Sequence, residues 1–322
     1  MFLPHLLPRM KRAPWSWFRS AAGLACVLVL AAYATIGLIV SVQHQERISK
    51  IVADASRVAA AAADGVAASL AQFDRALLTA IVQHQSLQAQ NFDPQARNAA
   101  YFEALQREPY FAFIDIVDKN GLAVAGRPKD TNNWSNRDYF AAQEHSRTDA
   151  LFIGNRIEPD NPRTVGFTVS RRMINGDGNF AGLVVMGVRL SYFRELLDRV
   201  QIGPNQSLML LRDDCTILFR LPFDFNNVGN RFAAGSPFCT ALSDGDTLAV
   251  APDPVDHIER QFALRRVGTF PLVVSVGTET GGSFADRMAL WWVVGGSGIA
   301  AVGLLLWKLR RPAQAATDRF AS

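Results

Sequence analysis

The sequence predicts an α+β protein in which two tandem antiparallel-sheet modules follow one long helix. Three observations support this fold class. Apolar residues recur at helical spacing through residues 44–90, short apolar runs alternate with turn-forming residues through residues 91–280, and an uncharged apolar run lies on each side of that region. Strands and helices in this order are typical of an antiparallel sheet with helices packed on its faces.

The two uncharged runs are each long enough to cross a membrane as a helix. Ala21–Val42 has 22 residues and Ala289–Trp307 has 19 residues, and about 20 apolar residues cross the hydrocarbon core of a bilayer. We therefore predict lipid-facing transmembrane helices over residues 21–43 and 289–307. A buried core helix is the alternative for each run.

A cleaved signal peptide is a further alternative for the first run, because Ala32-Tyr33-Ala34 has the pattern of a cleavage site. The run continues eight residues beyond that tripeptide, and this length favours an uncleaved anchor.

Basic residues precede the first run and follow the second, so the positive-inside rule places both termini in the cytoplasm. The sequence thus predicts a two-pass protein of the plasma or inner membrane. Residues 1–20 and 308–322 are predicted to be cytoplasmic, and residues 44–288 extracytoplasmic (periplasmic). The basic residues are Arg9, Lys11, Arg12 and Arg19 before the first run, and Lys308, Arg310 and Arg311 after the second.

Residues 44–90 predict a long stalk helix, because they are rich in alanine and Gly65 alone interrupts them. A helix of this length needs a packing partner, which is the globular region, a second copy of the chain, or both. The motif Asn91-Phe92-Asp93-Pro94 ends the pattern, and a short helix is expected near residues 95–107.

Residues 91–203 predict a membrane-distal module, and residues 204–280 predict a smaller membrane-proximal module of similar design. In the first, YFAFIDIVDKNGLAVAG predicts a hairpin, RDYFAAQEH a helix, and LFIGNRI, TVGFTVSRRMI and FAGLVVMGVRL three further strands before a helix at residues 191–200. In the second, SLMLLRDDCTILFRLP predicts a hairpin, and DTLAVAP, ERQFALRRV and FPLVVSVGTE predict three strands. The segment GNRFAAGSPFCTAL is predicted to be a loop.

The composition argues against several functional classes. The net charge of +4 is spread along the chain without a dense basic tract in its middle, which argues against nucleic-acid binding. The exported histidines have no metal-type spacing, and no G-x-S-x-G motif is present. We therefore expect no catalytic residues, no metal and no cofactor; an extracytoplasmic hydrolase is the enzymatic alternative. The exported histidines are His44, His84, His145 and His257.

The order of motifs in the exported region resembles double Cache (PDC-like) sensor domains, of the kind found in membrane-bound diguanylate cyclases and sensor histidine kinases. SNRDYFAAQ, LFIGNRI and GFTVSRRMINGDGNFAGLVVMGVRLSYF resemble the first module. DDCTILFRLP followed by GNRF resembles the second, with Cys215 where family members usually have glycine. The resemblance extends over nearly the whole exported region, the stalk and both flanking runs.

The resemblance implies a sensor that binds a small extracellular metabolite in its membrane-distal module. In this family the signal passes through the membrane helices, generally in a homodimer, to a cytoplasmic output domain. Residues 308–322 are too few for such a domain, so we expect a sensor that works through a separate cytoplasmic or membrane output protein. A truncated relative of a diguanylate cyclase or histidine kinase is one alternative, and a non-sensing structural or assembly protein is the other.

The stretch NWSNRDYF is the candidate ligand site. Arg137 carries a fork of donors that can hold a carboxylate through two hydrogen bonds. Trp134, Tyr139 and Phe140 supply planar walls for a small ligand. The alternative is an ordinary helix start, capped by the serine or asparagine before Arg137, with Arg137 solvated and Tyr139 in the core.

Three more charged residues are candidates for the same site. Alternation puts Arg171 and its neighbour Arg172 on opposite faces of a strand, and Arg171 matches the family's position. Arg189 matches the position at which the amino-acid-binding branch has an aspartate for the ligand's ammonium, and that branch's tyrosine falls on Asn132. A guanidinium cannot accept an ammonium, so the resemblance implies an anionic ligand such as a dicarboxylate. An outward-facing Arg189 is the alternative.

Asp115 and two cysteines complete the set of candidate residues. Asp115 lies between apolar neighbours in FIDIV, and a buried carboxylate needs a partner, which is either structural or the ligand. Cys215 and Cys239 lie in the exported region, where one disulfide can form. The spacing alone does not establish that their Cα atoms approach each other.

Overall fold

The structure is a computed structural model of the 322-residue chain. It describes residues 15–90, 110–126, 133–157, 166–223, 225–233, 235–245 and 247–279, and the positions 295, 296, 298, 299 and 303. The chain forms two compact units, one of residues 50–280 and one of residues 1–49 and 281–322.

Helix α1, Trp15–Ala89, is continuous through 75 residues. It therefore covers both the first predicted membrane span and the predicted stalk. Within the described part of the chain, one helical stretch, Ala31–Ala89, contains a window long and apolar enough to cross a membrane. The second predicted span, residues 289–307, lies outside the described residues except at the five isolated positions, as does the short helix expected near residues 95–107.

The first sheet has the strand order β2-β1-β5-β4-β3, and every neighbouring pair is antiparallel. Helix α2 lies between β2 and β3 in sequence, and helix α3 follows β5. The elements are β1 Phe111–Asp118, β2 Ala123–Ala125, α2 Asp138–His145, β3 Phe152–Arg156, β4 Gly166–Ile174, β5 Phe180–Arg189 and α3 Leu190–Asp198.

The second sheet repeats this topology with the order β7-β6-β10-β9-β8. In each sheet the first hairpin lies at one edge and the last strand pairs with the first, which is the arrangement expected for two modules of one design. A short 3₁₀ helix, Phe225–Asn227, follows the second hairpin. The other elements are β6 Gln206–Arg212, β7 Ile217–Leu221, α4 Pro237–Asp244, β8 Leu248–Pro252, β9 Glu259–Arg266 and β10 Leu272–Glu279.

Helix α1 packs on one face of both sheets, and one apolar cluster runs along it. Phe73 of α1, Val184 of β5 and Val274 of β10 belong to this cluster and are fully buried. The buried positions of α1 recur every three or four residues, as a single apolar face requires. They are Ala55, Ala59, Ala62, Ala63, Val66, Leu70, Phe73, Leu77, Ala80 and Ile81.

Each sheet has a second, smaller apolar cluster on the face away from α1. In the first module this cluster lies under α2 and contains Val117, Tyr139, Phe140, Leu183 and Val185; we call it the aromatic cluster. The corresponding cluster of the second module lies under α4 and is centred on Phe238 and Phe262. These faces carry the polar residues considered below.

Helix α4 forms in the segment that the sequence analysis expected to be a loop. Ser236 is its N-cap and accepts a hydrogen bond from the backbone N–H of Cys239, and Pro237 begins the helix. Gly245 ends it in the left-handed conformation, at φ 78°. These are ordinary signals for the start and end of a helix. The helix was not predicted because its apolar pattern is too short to show a helical period. A disulfide between Cys215 and Cys239 ties α4 to the β6–β7 turn.

Candidate ligand-binding site

The stretch Asn133–Phe140 crosses the α2 side of the first sheet. The backbone N–H of Trp134 donates to the carbonyl of Gly121 at 2.7 Å, and Asn133 forms a β-bridge with Leu122. These contacts fix the stretch to the β1–β2 turn. Gly121 has φ +84°, and a Cβ there would lie 2.4 Å from the side chain of Asn133. The close approach therefore depends on glycine at this turn.

Helix α2 begins without the serine or asparagine cap that the alternative interpretation expected. Arg137 is the N-cap residue and makes no side-chain capping hydrogen bond. The carboxylate of Asp138 instead accepts from the backbone N–H of Tyr139 at 2.8 Å and from that of Asn155 at 2.7 Å. Asp138 thus stabilises the first turn of α2 and ties it to the end of β3.

The aromatic residues of the stretch have different environments. Tyr139 and Phe140 are 6% and 2% exposed and belong to the aromatic cluster. Phe140 makes an edge-to-face contact with Phe180, with 5.5 Å between the ring centroids. Trp134 is half-buried and packs against the same cluster. Tyr139 and Phe140 are therefore core residues. Trp134 lies at the edge of the aromatic cluster, where it is partly accessible to solvent.

Arg137 extends over Trp134 at the surface. Its guanidinium carbon lies 5.2 Å from the indole centroid, and the side chain is exposed. Across the described residues, no carboxylate lies within salt-bridge distance of this guanidinium. A stacked guanidinium keeps its hydrogen-bond donors directed outward, where they can receive an anion.

Asp115 lies on the same face of the sheet, deep beneath α2. It is 3% exposed and pairs in register with Val185, a member of the aromatic cluster. Its carboxylate lies against the backbone at Gly126, where a Cβ would be 2.2 Å from Oδ1. With φ +136°, position 126 takes a conformation that glycine readily adopts.

Arg171 faces away from this site, and this placement corrects the expectation that it lines the same surface as Arg137. Strand alternation sends its side chain toward α1, where Nε and Nη2 donate to the two carboxylate oxygens of Asp74 at 2.6 and 2.7 Å. Nη1 also donates to Asp149. The hydrogen bonds that Arg171 donates to the carboxylate of Asp74 raise the pKa of Arg171 above its usual range, so its charge serves to hold α1 on the sheet.

Arg172 is the residue of this pair on the α2 side. Its Nη1 donates to the carbonyl of Ser146 just after α2, and its guanidinium lies 6.0 Å from the centroid of Phe180. Strand alternation places Arg171 and Arg172 on opposite faces of β4 but does not say which of them faces α2. The packing of α1 on the Arg171 face decides this. Arg172 supports the far end of α2.

Arg189 ends β5 on the α2 side of the sheet. It pairs in register with Gly166, and its position four residues after Val185 gives it the same face. The Nε of Arg189 is buried and has no hydrogen-bond acceptor within the described part of the chain. Arg189 and Arg137 therefore belong to the same side of the first module.

The second module fills its corresponding face with its own charges. Asp253, fully buried, accepts from Arg220 at 3.2 Å and from Arg260 at 2.9 Å. Asp256 accepts from the same two arginines at 2.9 and 2.6 Å, and the hydroxyl of Ser207 donates to Asp253. The sequence gives no local sign of this network, because its members come from three separated strands and a loop.

In the described ranges, no group of three or more His, Cys, Asp or Glu side chains is placed to hold a metal ion.

Residues 190–277 match the model of a family described as a dCache_1-like histidine kinase sensor domain. No curated protein sequence matches the chain.

Solved sensor domains share the fold at low sequence identity. The extracellular domain of rpHK1S-Z16, assigned as a histidine kinase, has a TM-score of 0.62 and 22% identity over 72% of this chain and 95% of that one. The ligand-binding domain of the Pseudomonas fluorescens chemoreceptor CtaA, solved with L-isoleucine, has a TM-score of 0.54 and 16% identity, covering 74% and 95%. The ligand-binding domain of the Pseudomonas aeruginosa PAO1 amino acid chemoreceptor PctB, solved with L-Arg, has a TM-score of 0.51 and 14% identity, over 69% of this chain and 92% of that one.

Proposed function

We infer from the double Cache fold of its two modules, and from the sensor-family match over residues 190–277, that this chain is a membrane-anchored extracytoplasmic sensor of a small molecule. We place its ligand on the α2 side of the first module. The observation that carries this proposal is Arg137, which is exposed, stacked on Trp134 and without an acidic partner among the described residues. A charged group held in this way is suited to a ligand rather than to the core.

The proposed ligand is a small anion such as a dicarboxylate. Arg137 and Arg189 contribute two positive charges to one face of the module, and the buried Nε of Arg189 has no described acceptor. A ligand with two carboxylates would accept hydrogen bonds from both guanidiniums. Trp134 would cover its carbon chain, while Tyr139 and Phe140 hold α2 in place beneath it.

An amino acid is the second candidate ligand. CtaA and PctB were solved with amino acids bound, and Asp115 supplies a buried carboxylate on the same face. A carboxylate is the group that an ammonium requires, although the charge of Arg189 opposes a second positive group on this face.

We also propose the surroundings in which this sensor acts. Two membrane helices, over residues 21–43 and 289–307, would hold residues 44–288 outside the cytoplasm. A homodimer through α1 is supported by Leu78 and Val82, which are exposed one helical turn apart, Val82 by 65%. A separate cytoplasmic or membrane protein would supply the output.

A thermal-shift screen of the full-length chain in lipid nanodiscs tests the ligand. Succinate is expected to stabilise the protein, by about 2.7 kcal/mol at 100 times its Kd, and Arg137→Gln is expected to abolish this shift. Arg147→Gln is the matched control, because Arg147 is also exposed and lies just beyond α2.

The other outcomes distinguish the alternatives. Stabilisation by L-isoleucine or L-arginine, but not by dicarboxylates, would favour an amino acid as the ligand. Unchanged succinate binding by Arg189→Asp would contradict the role of Arg189. The absence of any shift from dicarboxylates, amino acids, amines and purines would favour a structural or assembly protein.

A further inference from the structure

The segment that joins α2 to β3, residues 146–151, lies beside the second half of β4; we call it the α2–β3 connection. Strand β3 pairs with β4 only as far as Ser170, which lies opposite Phe152, the first residue of β3. Residues 171–174 of β4 pair with no residue of β3, and the α2–β3 connection contacts them instead. Gln143 of α2 donates to the carbonyl of Ser170 at 2.8 Å, so the helix is fixed to β4 at the same point.

Two consecutive arginines of β4 hold this connection from opposite faces of the sheet. On the α2 side, Nη1 of Arg172 donates to the carbonyl of Ser146. On the α1 side, Nη1 of Arg171 donates to the carbonyl and to Oδ1 of Asp149, at 2.6 and 2.8 Å. The α2–β3 connection is therefore the point at which the two faces of the first module meet the same backbone.

Arg171 gives its other donors to α1. Its Nε and Nη2 donate to the two carboxylate oxygens of Asp74, and its side chain is 12% exposed. One guanidinium thus joins α1 to the α2–β3 connection. Its rigid planar fork serves both partners at once, an arrangement that the single ammonium of a lysine does not reproduce.

A second polar contact ties α1 to the helix that begins after Arg189. Arg189 is the N-cap residue of α3, and Tyr192 lies in the first turn of that helix. The hydroxyl oxygens of Tyr192 and Ser69 are 2.8 Å apart. Ser69 and Asp74 are little more than one turn apart on α1. The helices that begin at Arg137 and Arg189 are thus both connected to one short segment of α1.

We propose that Arg171 is a positioning residue that couples the α2 side of the first module to α1. A ligand that draws the start of α2 toward the sheet would shift the α2–β3 connection and, through Arg171, the segment of α1 at Asp74. Helix α1 is continuous over Trp15–Ala89, so the same helix contains the first apolar run. The ligand in this coupling is that of the proposed function, whereas the link between α1 and the α2–β3 connection depends only on the contacts above.

Hydrogen exchange of the full-length chain in nanodiscs, measured by mass spectrometry, tests this link without any ligand. In Asp74→Asn, the amides of residues 141–151 should exchange about tenfold faster, because loss of a charge-assisted pair makes local opening easier. A salt bridge that only held α1 in place would raise exchange in α1 and β4 alone. Asp64→Asn, at an exposed position of α1, is the matched control and should change neither.

The apolar face of α1 around Phe73 should keep Asp74→Asn folded, and unchanged exchange in β6 and β10 verifies this. Succinate provides the second measurement. In the parent protein it should slow exchange at the start of α2 and in residues 69–81 of α1. Asp74→Asn should keep the first effect and lose the second, and Asp74→Glu, which retains a carboxylate, should restore part of it.

The two measurements separate this coupling from the proposed ligand. If succinate changes exchange nowhere while Asp74→Asn still accelerates exchange at residues 141–151, the ligand is wrong and the link between the faces stands. If Asp74→Asn leaves residues 141–151 unchanged, the link is wrong whatever the ligand. An effect of succinate on α1 that persists in Asp74→Asn would likewise overturn the role of Arg171.

Discussion

Arginine side chains in this protein differ chiefly in whether they form a salt bridge with a carboxylate. Arg171 is paired with Asp74, and Arg260 with Asp253 and Asp256, in mostly buried positions. Arg137 and Arg231 are exposed and make no salt bridge to a described carboxylate. Because a buried charge is costly without a partner, the paired arginines hold the fold together. Arg137, which stacks on Trp134, is the candidate for ligand contact.

The charge network of the second module makes stability depend on pH. Burial opposes ionisation of Asp256, but the hydrogen bonds from Arg260 and Arg220 outweigh it and lower the pKa of Asp256. A carboxyl whose folded pKa is depressed contributes stability that is present above its unfolded pKa, about 3.8. That stability is lost as the pH falls through the folded value.

We therefore predict that the free energy of unfolding of the full-length chain decreases as the pH falls below about 4. Asp256→Asn should lower stability at neutral pH and flatten this acid dependence. Urea unfolding, followed by tryptophan fluorescence at a series of pH values, measures both effects. Asp177→Asn, in the exposed β4–β5 turn, is the control. An acid dependence as steep in Asp256→Asn as in the parent would contradict the role of the network.

At the scale of elements, the disulfide and the N-cap act on the same helix. The Cys215–Cys239 bond joins the β6–β7 turn to α4, whereas the side chain of the N-cap residue Ser236 accepts one local hydrogen bond, from the backbone N–H of Cys239. The covalent link therefore has the larger effect on where α4 lies. It also positions Phe238, which makes an edge-to-face contact with Phe262 at 4.9 Å.

Removal of this disulfide should destabilise the second module by about 3 kcal/mol, as the chain-entropy estimate gives for a loop of this size. The bonded cysteines are 24 residues apart in sequence. Urea unfolding of the Cys215→Ser/Cys239→Ser variant, with and without reductant, measures the loss. Reductant should lower the stability of the parent protein and of Cys26→Ser but leave the double variant unchanged. Equal stability of parent and double variant without reductant would argue against the bond.

The repeat of one topology explains how two sheets share one helix. In both modules the last strand lies at the centre of the sheet, as β5 and β10 do, and the first hairpin lies beside it. This arrangement gives each sheet one continuous apolar face for α1. The opposite face is left for a short helix, α2 or α4, and for polar side chains.

At the scale of the whole molecule, hydrogen bonds connect the start of α2 to the second module. Asp138 accepts from the backbone of Asn155, and the Oδ1 of Asn155 accepts from Nη1 of Arg212 at 2.9 Å. Arg212 in turn pairs with Asp214 of the β6–β7 turn. A ligand that moves α2 thus has a physical connection to the β6–β7 turn, in addition to the helix α1 on which both sheets pack.

The two-pass membrane topology is a prediction for the whole chain. The basic residues outside both apolar runs should keep the termini in the cytoplasm. Alkaline phosphatase, which is active only outside the cytoplasm, should be active when fused after residue 280 and inactive when fused after residue 322. Green fluorescent protein should show the opposite pattern. Phosphatase activity at the second fusion point would contradict the predicted crossing at residues 289–307.

Much of the fold was predictable because its signals are local. The hairpins, the strands flanking them and the long helix follow from periods of two and 3.6 residues together with Gly- and Asp-rich turns. Helix α4 was missed because eight residues give too short a period, although Ser236 and Pro237 marked its start. Of the candidate site residues, Trp134, Arg137, Asp115 and Arg189 lie on the α2 side of the first sheet and Arg171 does not; their contact with a ligand stays a prediction.

The sequence by itself determined the α+β class, the pattern of strands that repeats along the chain and the two long apolar segments. Each of these depends on residues close together in the chain. Tertiary structure alone decided which face of each sheet receives α1. That choice commits Arg171 to Asp74 and leaves Arg172 and Arg189 on the α2 side. The physical reason is that alternation fixes which residues share a face, whereas burial of the largest apolar surface fixes what that face meets.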